Sequence, residues 1–280
     1  MSAYLDAIVA TSNLMNADQQ VRRYGFEIES PSVGAYANTL EEAGFGLTVD
    51  GSVERPDCFC ECDDCQAHEC DCRNCDSNSG WQDIDHCSGC QANEAQSPIL
   101  TTHKPSKIAE ALDELNDNFT APSGGDDWGQ HVHIEARDLT VAQVYSVAKL
   151  GAVASRILPD LFGRDYNSYA QQITAQTIAE FHYGSFEKYN EVNISPVMRY
   201  KRDNSEQPAR YEIGEEFSRF PSKSTVEFRL FETTADPELI FARVAVCRAI
   251  VATAKKSGLY WALNAKTPTE FLNAIEFGKH

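Results

Sequence analysis

Gln130-His131-Val132-His133-Ile134-Glu135-Ala136 places two imidazoles and a carboxylate at alternate positions, with Val132 and Ile134 between them. Alternate side chains of a β-strand point to opposite faces, so this stretch predicts a central strand with one apolar and one ionisable face. Two distant stretches repeat the pattern. Glu27-Ile28-Glu29 sets two acids around an isoleucine, and Glu227-Phe228-Arg229 sets an acid and an arginine around a phenylalanine. Glu94-Ala95-Gln96-Ser97-Pro98 adds a single acid. A sheet built from these strands collects Phe26, Ile28, Val132, Ile134, Val226, Phe228 and Leu230 on its other face. Like charges sharing a face repel, and divalent cations would neutralise them.

The chain has 280 residues, 42% hydrophobic and 24% charged, which fits a soluble protein with a sizeable core. We read residues 1–280 as a single domain carrying an inserted segment at 57–91. The formal net charge of −18 argues against a nucleic-acid surface, which needs a basic stripe. No apolar run approaches a membrane span. The first twenty residues have no basic leader and are expected to form a helix rather than a secretory signal, so a cytoplasmic location is expected.

Periodicity predicts helices over about 2–17, Lys107–Asn118, Tyr169–His182 and Thr267–Phe277. Another runs from Ser32, read as its cap, to Ala43 before Gly44. Thr140 opens a helix that stops at Pro159, and Asp236-Pro237 opens one that reaches about Lys256. Strands are expected at Arg23–Ser30, Phe45–Val49, Glu94–Gln96, Gln130–Ala136, Lys188–Ile194 and Ser224–Phe231.

Singly, these motifs are weak. A Glu-x-Glu is usually two solvated acids on an edge strand, and Glu227-x-Arg229 alone is a surface ion pair worth little. Together they specify more. Carboxylate oxygens suit Mg²⁺ or Mn²⁺, which also take oxygens from substrate phosphates. An arginine beside them suits phosphate, because its planar fork donates two parallel hydrogen bonds. A zinc hydrolase would use more imidazoles.

Six motifs occur in order: Arg23-Tyr-Gly-Phe-Glu-Ile-Glu29, Asp50-Gly-Ser-Val53, Glu94-Ala-Gln-Ser-Pro-Ile-Leu100, Gly129-Gln-His-Val-His-Ile134, Tyr189-Asn-Glu-Val-Asn193 and Thr225-Val-Glu-Phe-Arg-Leu-Phe231. In this order they resemble the amidoligase family, which is similar to glutamine synthetase and glutamate–cysteine ligase. The resemblance spans about residues 22–255. It implies an α+β fold, with an antiparallel sheet curved into a half-funnel and helices on its outer face. It also implies ATP-dependent joining of a carboxylate to an amine, through an acyl phosphate. Glu27 and Glu29 match the first metal-binding pair, Glu94 the acid before Ser-Pro, and Glu227 a further ligand for Mg²⁺ or Mn²⁺. Arg229 matches the phosphate-holding position. His131 and His133 match the His-x-His strand. His131 is favoured near metal or phosphate, and the acting imidazole is left open. Asn193 is expected to orient the acid substrate. Arg199 and Arg156 are weaker candidates for a carboxylate clamp. Substrates would be small-molecule or peptide acids and amines, and any ammonia-generating partner would be a separate protein.

The chain departs from the family pattern twice. Trp128-Gly129-Gln130 stands where the family often has Cys-Gly. A cysteine-rich insert separates Asp50 from Glu94. In it Cys60-x-Cys62-x₂-Cys65 repeats as Cys70-x-Cys72-x₂-Cys75, with Cys58 before and Cys87-x₂-Cys90 after. Cys-x₂-Cys spacing suits tetrahedral zinc thiolate, and about two ions would use eight ligands from these cysteines, His68 and His86. The insert is strongly acidic, with Arg73 as its one base between residues 57 and 90, so a nucleic-acid-reading finger is disfavoured. A structural zinc knob that covers the site or meets a partner is expected, and a decoration without catalytic role is an equal alternative. Two other readings of the whole chain remain: an inactive ligase-like scaffold serving as a zinc-dependent interaction module, and a related phosphotransferase.

Overall fold

The alternating stretches become neighbouring strands of one antiparallel sheet. The computed structural model describes residues 2–48, 93–117, 119, 128–163, 170–182, 189–198, 224–256 and 259–278. In chain order these form α1 (Ala3–Asn13), β1 (Gln20–Glu29), a 3-10 segment (Pro31–Tyr36), α2 (Ala37–Ala43), β2 (Gly46–Thr48), β3 (Glu94–Gln96), β4 (Leu100–Thr102), α3 (Ser106–Asn116) and β5 (Gly129–Glu135). There follow α4 (Val141–Ile157), α5 (Pro159–Phe162), α6 (Ala175–His182), β6 (Val192–Asn193), β7 (Thr225–Glu232), α7 (Pro237–Thr253), α8 (Leu259–Leu263) and α9 (Pro268–Ala274). The sheet order is β2-β3-β1-β5-β7-β6, with β4 also paired to β1. The protein is therefore α+β, with an open antiparallel sheet.

Register puts the apolar residues in rows. Tyr24 faces Ile134 and Phe26 faces Val132 across β1 and β5, while Val132 faces Phe228 and Ile134 faces Val226 across β5 and β7. These side chains are fully or almost fully buried, and burying each contributes about 1.5–3 kcal/mol. Two long helices cover this face. Phe241 of α7 meets Phe26 edge to face at 6.1 Å. Nearly every residue of α7 is buried, because the sheet takes one side and α1 and α3 pack against it as well. An apolar surface all round is what such a buried position requires.

Helix α4 approaches the sheet closely at Gly151. A Cβ there would lie 2.4 Å from Val192 Cγ2 and 3.3 Å from Phe228 Cε1. Gly151→Ala is therefore expected to destabilise the protein by about 1–3 kcal/mol through overpacking. A urea melt checks this, and an unchanged midpoint would mean that the contact relaxes freely.

The expected helix starts hold in two places. Thr140 and Gln143 form a reciprocal capping box on α4, and the Asp236 carboxylate accepts from Glu238 N and Leu239 N ahead of α7. Gly44 closes α2 at φ 97°, in the left-handed region that favours glycine. Elsewhere the structure differs. Ser30, not Ser32, caps the segment after β1, accepting from Ser32 N, and the first turns are 3-10 rather than α. The helix expected from Tyr169 is formed only from Ala175. Gln171 instead bridges Asn190, and the Ile173 N–H is taken by the Glu191 carboxylate at 2.8 Å rather than by a helix. The strand expected over 188–194 is formed at Val192–Asn193, where the Asn193 side chain accepts from Ser195 N at 3.0 Å and turns the chain. β4 and α8 were not expected. Arg199 and the cysteine-rich segment 57–91 lie outside the described residues.

Candidate functional site

Glu27 and Glu29 leave β1 on the face opposite Phe26 and Ile28. Register then assembles the site without any loop. Glu27 stands opposite Gln96 on one side and His131 on the other. Glu29 stands opposite Glu94. His133 stands opposite Gly25 and Glu227, and Glu227 is opposite Asn193. Because Gly25 offers no side chain, nothing on β1 separates the His133 ring from Glu27, and His133 Nε2 lies 3.1 Å from Glu27 Oε1.

A bulge shapes the other side. Gln130 pairs with Phe231 while Val132 pairs with Phe228, so Arg229 and Leu230 together stand opposite His131. Bulges bend a strand and re-aim its side chains. Here Leu230 and Phe231 are both buried, and Arg229 Nη1 lies on Glu227 Oε1. Arg229 also stands 5.9 Å from the Tyr189 ring centre, and its backbone N–H donates to Glu191 O.

The centre is compact. One ligand atom each from Glu27, His131 and Glu227 lie within 4.8 Å of one another. His131 Nδ1 is 2.9 Å from Glu27 Oε2 and 3.5 Å from Glu227 Oε1, while its Nε2 is 3.6 Å from Glu29 Oε1. Glu29 accepts from Gly129 N at 2.7 Å, and Glu94 accepts from Gln96 Nε2 at 2.5 Å. Asn193 Nδ2 donates to Glu227 Oε2 at 2.7 Å. Glu29, Glu94, His131, His133, Glu227 and Asn193 are all buried.

Opposite charges shift one another's ionisation. Burial alone would raise the Glu27 carboxyl, but the His133 charge and hydrogen bonds from both imidazoles hold it well below the usual carboxylate range. Burial likewise opposes ionisation of Glu227, and the Arg229 guanidinium with the two imidazoles outweighs it. Burial would lower His133, yet Glu27 and Glu227 raise it to about 9. Both carboxylates are thus ionised at neutral pH.

The donor set fits a hard divalent cation. It is oxygen-rich with one central imidazole. Among the described residues, two buried ring nitrogens, His131 Nε2 and His133 Nδ1, have no hydrogen-bond partner. Buried polar atoms are normally satisfied, so these two nitrogens are open to a ligand, an ion or water.

Residues 20–251 match the family described as putative amidoligase enzyme. The chain belongs to the amidoligase family. Comparisons with curated proteins and with solved structures give no match. The matched span starts at the first residue of β1 and ends within α7, so it contains Glu27, Glu29, Glu94, His131, His133, Asn193, Glu227 and Arg229.

Of the residues singled out in the sequence, Glu27, Glu29, Glu94, His131, His133, Glu227, Arg229 and Asn193 share this face. Asn193 is placed on Glu227. Arg156 is exposed near the end of α4, a helix packed on the other face, so it is not brought to the site. Several supporting residues carried no signal of their own. Gln96 holds Glu94, and Thr233 donates to Glu29 O at 2.5 Å. Glu191 lies inside a quoted motif, but its task depends on contacts distant in sequence. It accepts from Ser155 Oγ at 2.5 Å and ties α4 to the strand beside Arg229.

Proposed function

We propose that this member of the amidoligase family is an ATP-dependent carboxylate–amine ligase. An acid oxygen attacks the γ-phosphorus and ADP leaves. The amine then displaces phosphate from the acyl phosphate, giving an amide. The observation carrying this is the Glu27, His131 and Glu227 donor atoms within 4.8 Å, with the Arg229 guanidinium on the same carboxylate. A metal–phosphate site needs that pairing of oxygen ligands with a phosphate-binding fork.

Glu27, His131 and Glu227 would hold a divalent cation, with Glu29 and Glu94 beside them. When bound, Mg-ATP supplies the phosphoryl group and the cationic charge that stabilises its transfer. Arg229 would present its guanidinium to the transferring phosphoryl oxygens. Asn193 fixes the Glu227 carboxylate, and Gly129 N fixes that of Glu29. Burial of the group strengthens each electrostatic contact. The antiparallel sheet with helices against its apolar face supports a half-funnel of the glutamine synthetase kind. Acids and amines of small-molecule or peptide type are the proposed substrates, and the cysteine-rich insert is proposed to bind zinc.

Calorimetric titration with Mg-ATP tests the proposal without knowledge of the substrate. Wild type is expected to bind, and binding should vanish without Mg²⁺ or in a Glu27→Gln/Glu29→Gln variant. ATP that binds equally well to the variant or in chelator would sink it. Product analysis separates a phosphotransferase, which yields a phosphorylated product in place of an amide and free phosphate. Metal analysis of the freshly purified chain should find about two zinc ions, as eight tetrahedral ligands require. Zinc-free protein that retains full thermal stability would count against the insert's proposed role.

A further inference from the structure

Residues 189–193 run beside the two charged residues Glu227 and Arg229 of β7. The Tyr189 ring centre stands 5.9 Å from the Arg229 guanidinium carbon, Glu191 O accepts from Arg229 N at 2.9 Å, and Asn193 Nδ2 donates to Glu227 Oε2 at 2.7 Å. This short segment therefore meets both halves of the Glu227–Arg229 pair. Its own strand is only Val192–Asn193, at the end of the sheet order. So short an edge strand has few ladder bonds to fix it.

The Glu191 side chain supplies what the ladder lacks. It is 1% exposed. Its Oε2 accepts from Ser155 Oγ at 2.5 Å and its Oε1 from Ile173 N at 2.8 Å. The main chain is clasped as well: Glu191 N donates to Gln171 O at 2.8 Å, and Gln171 N donates to Tyr189 O at 2.6 Å. Ser155 lies one helical turn along α4 from Gly151, against which Val192 packs. Helix α4 thus grips the segment at two consecutive residues, and residues 171–173 hold it too. Burying a carboxyl group is costly unless it is hydrogen-bonded. An apolar side chain could fill the same space, but it would drop both side-chain bonds and loosen the backbone that accepts from Arg229 N.

We propose that Glu191 is a positioning residue for Arg229, its buried carboxylate anchoring the segment that sets the guanidinium against Glu227. The proposal rests on the ligase reading for what Arg229 does, but the placement of Arg229 is measured without nucleotide. Glu191→Ala removes both side-chain bonds. Glu191→Gln can keep both, because its amide oxygen accepts from Ile173 N and its amide N–H donates to Ser155 Oγ, whose own proton turns to Ala152 O at 3.2 Å. ADP release should fall about 10–100-fold in Glu191→Ala, the size of losing a group that supports a site residue from behind, and Glu191→Gln should recover most of it. A merely structural residue would leave Arg229 itself unchanged in the folded protein. The full chain is therefore labelled with phenylglyoxal, and the modified arginines are read by peptide mass spectrometry, at a temperature where circular dichroism shows the variant folded. Arg229 should label several-fold faster in Glu191→Ala than in wild type, while Arg22, held by Asp138 and Glu135 O, keeps its rate. Unchanged Arg229 labelling in Glu191→Ala would overturn the proposal, whether or not activity falls. Equal losses of ADP release in Glu191→Gln and Glu191→Ala would overturn it too, because the charge rather than the anchoring would then matter. If Glu191→Ala does not fold, Ser155→Ala, which removes the Oε2 bond alone, is labelled in its place. Faster Arg229 labelling there supports the proposal, and an unchanged rate counts against it. Faster Arg229 labelling in Glu191→Ala, with no Mg-ATP binding by wild type, would count against the ligase reading and leave the positioning role standing.

Discussion

Glu227→Gln is expected to lower ADP release by at least about 10³-fold while the protein remains folded. The expected size follows from what the carboxylate does. It is one of three ligand atoms within 4.8 Å, it accepts from Asn193, and it is the anion against Arg229. Glutamine keeps the shape and an acceptor oxygen for Asn193, but removes the charge that a cation needs. Removing one preorganised electrostatic partner of a phosphoryl or acyl transition state costs about 10²–10³ in rate, and here a proposed metal ligand goes with it. Arg229→Ala should match it, because arginines that stabilise transferring phosphoryl groups contribute about 10³–10⁵. Asn193→Ala touches the same carboxylate from behind and should cost only about 10–100-fold, as outer partners of metal ligands do. A coupled assay of ADP release, with circular dichroism as the fold control, gives all three. Full activity in Glu227→Gln or Arg229→Ala would remove the acidic face as the catalytic centre. An Asn193→Ala loss as large as that of Glu227→Gln would give the asparagine a direct role.

The period-two pattern made the strands and their two faces legible, because it depends only on neighbouring residues. Which strand lies beside which depends on register, and register is set by tertiary packing. Gly25 shows the difference: its sequence context says only that it interrupts a strand, yet pairing with His133 leaves nothing on β1 between that imidazole and Glu27. The bulge that sets Arg229 and Leu230 opposite His131 also has no local mark, since Glu227-Phe228-Arg229 reads as plain alternation. Helix ends fared well where a side chain caps its own helix, as at Thr140 and Asp236. They fared poorly where a distant group intervened. Glu191 takes the Ile173 N–H, although the stretch from Tyr169 has helical spacing.

Arg243→Met should destabilise the chain by about 3 kcal/mol or more, although methionine suits the apolar surroundings. Arg243 is buried within α7 at 2% exposure. Its Nε donates to Leu161 O at 2.9 Å, and its Nη1 donates to Gln130 Oε1 at 2.6 Å and Glu232 O at 2.7 Å. The guanidinium also stands 5.1 Å from the Phe231 ring centre. Burial pushes its pKa down to about 10, still far above neutrality, so the charge is kept inside. Methionine abandons three acceptors, two of them backbone carbonyls, and each buried unsatisfied group costs about 1–3 kcal/mol. In a chain of this size that is roughly 6–12 °C of melting temperature, at about 2–4 °C per kcal/mol. The consequence reaches the site, because Gln130 precedes His131 and Glu232 ends the strand that carries the bulge. The clamp therefore fixes the β5–β7 offset that sets Arg229 against Glu227. Mg-ATP affinity should fall in Arg243→Met at temperatures where the variant is still folded. Arg243→Lys, which keeps the charge but cannot serve three acceptors in the plane of a fork, should lie between the two proteins in both stability and affinity. A methionine variant that melts with wild type would mean the three carbonyls find other donors. One that melts early but binds Mg-ATP normally would uncouple the clamp from the site.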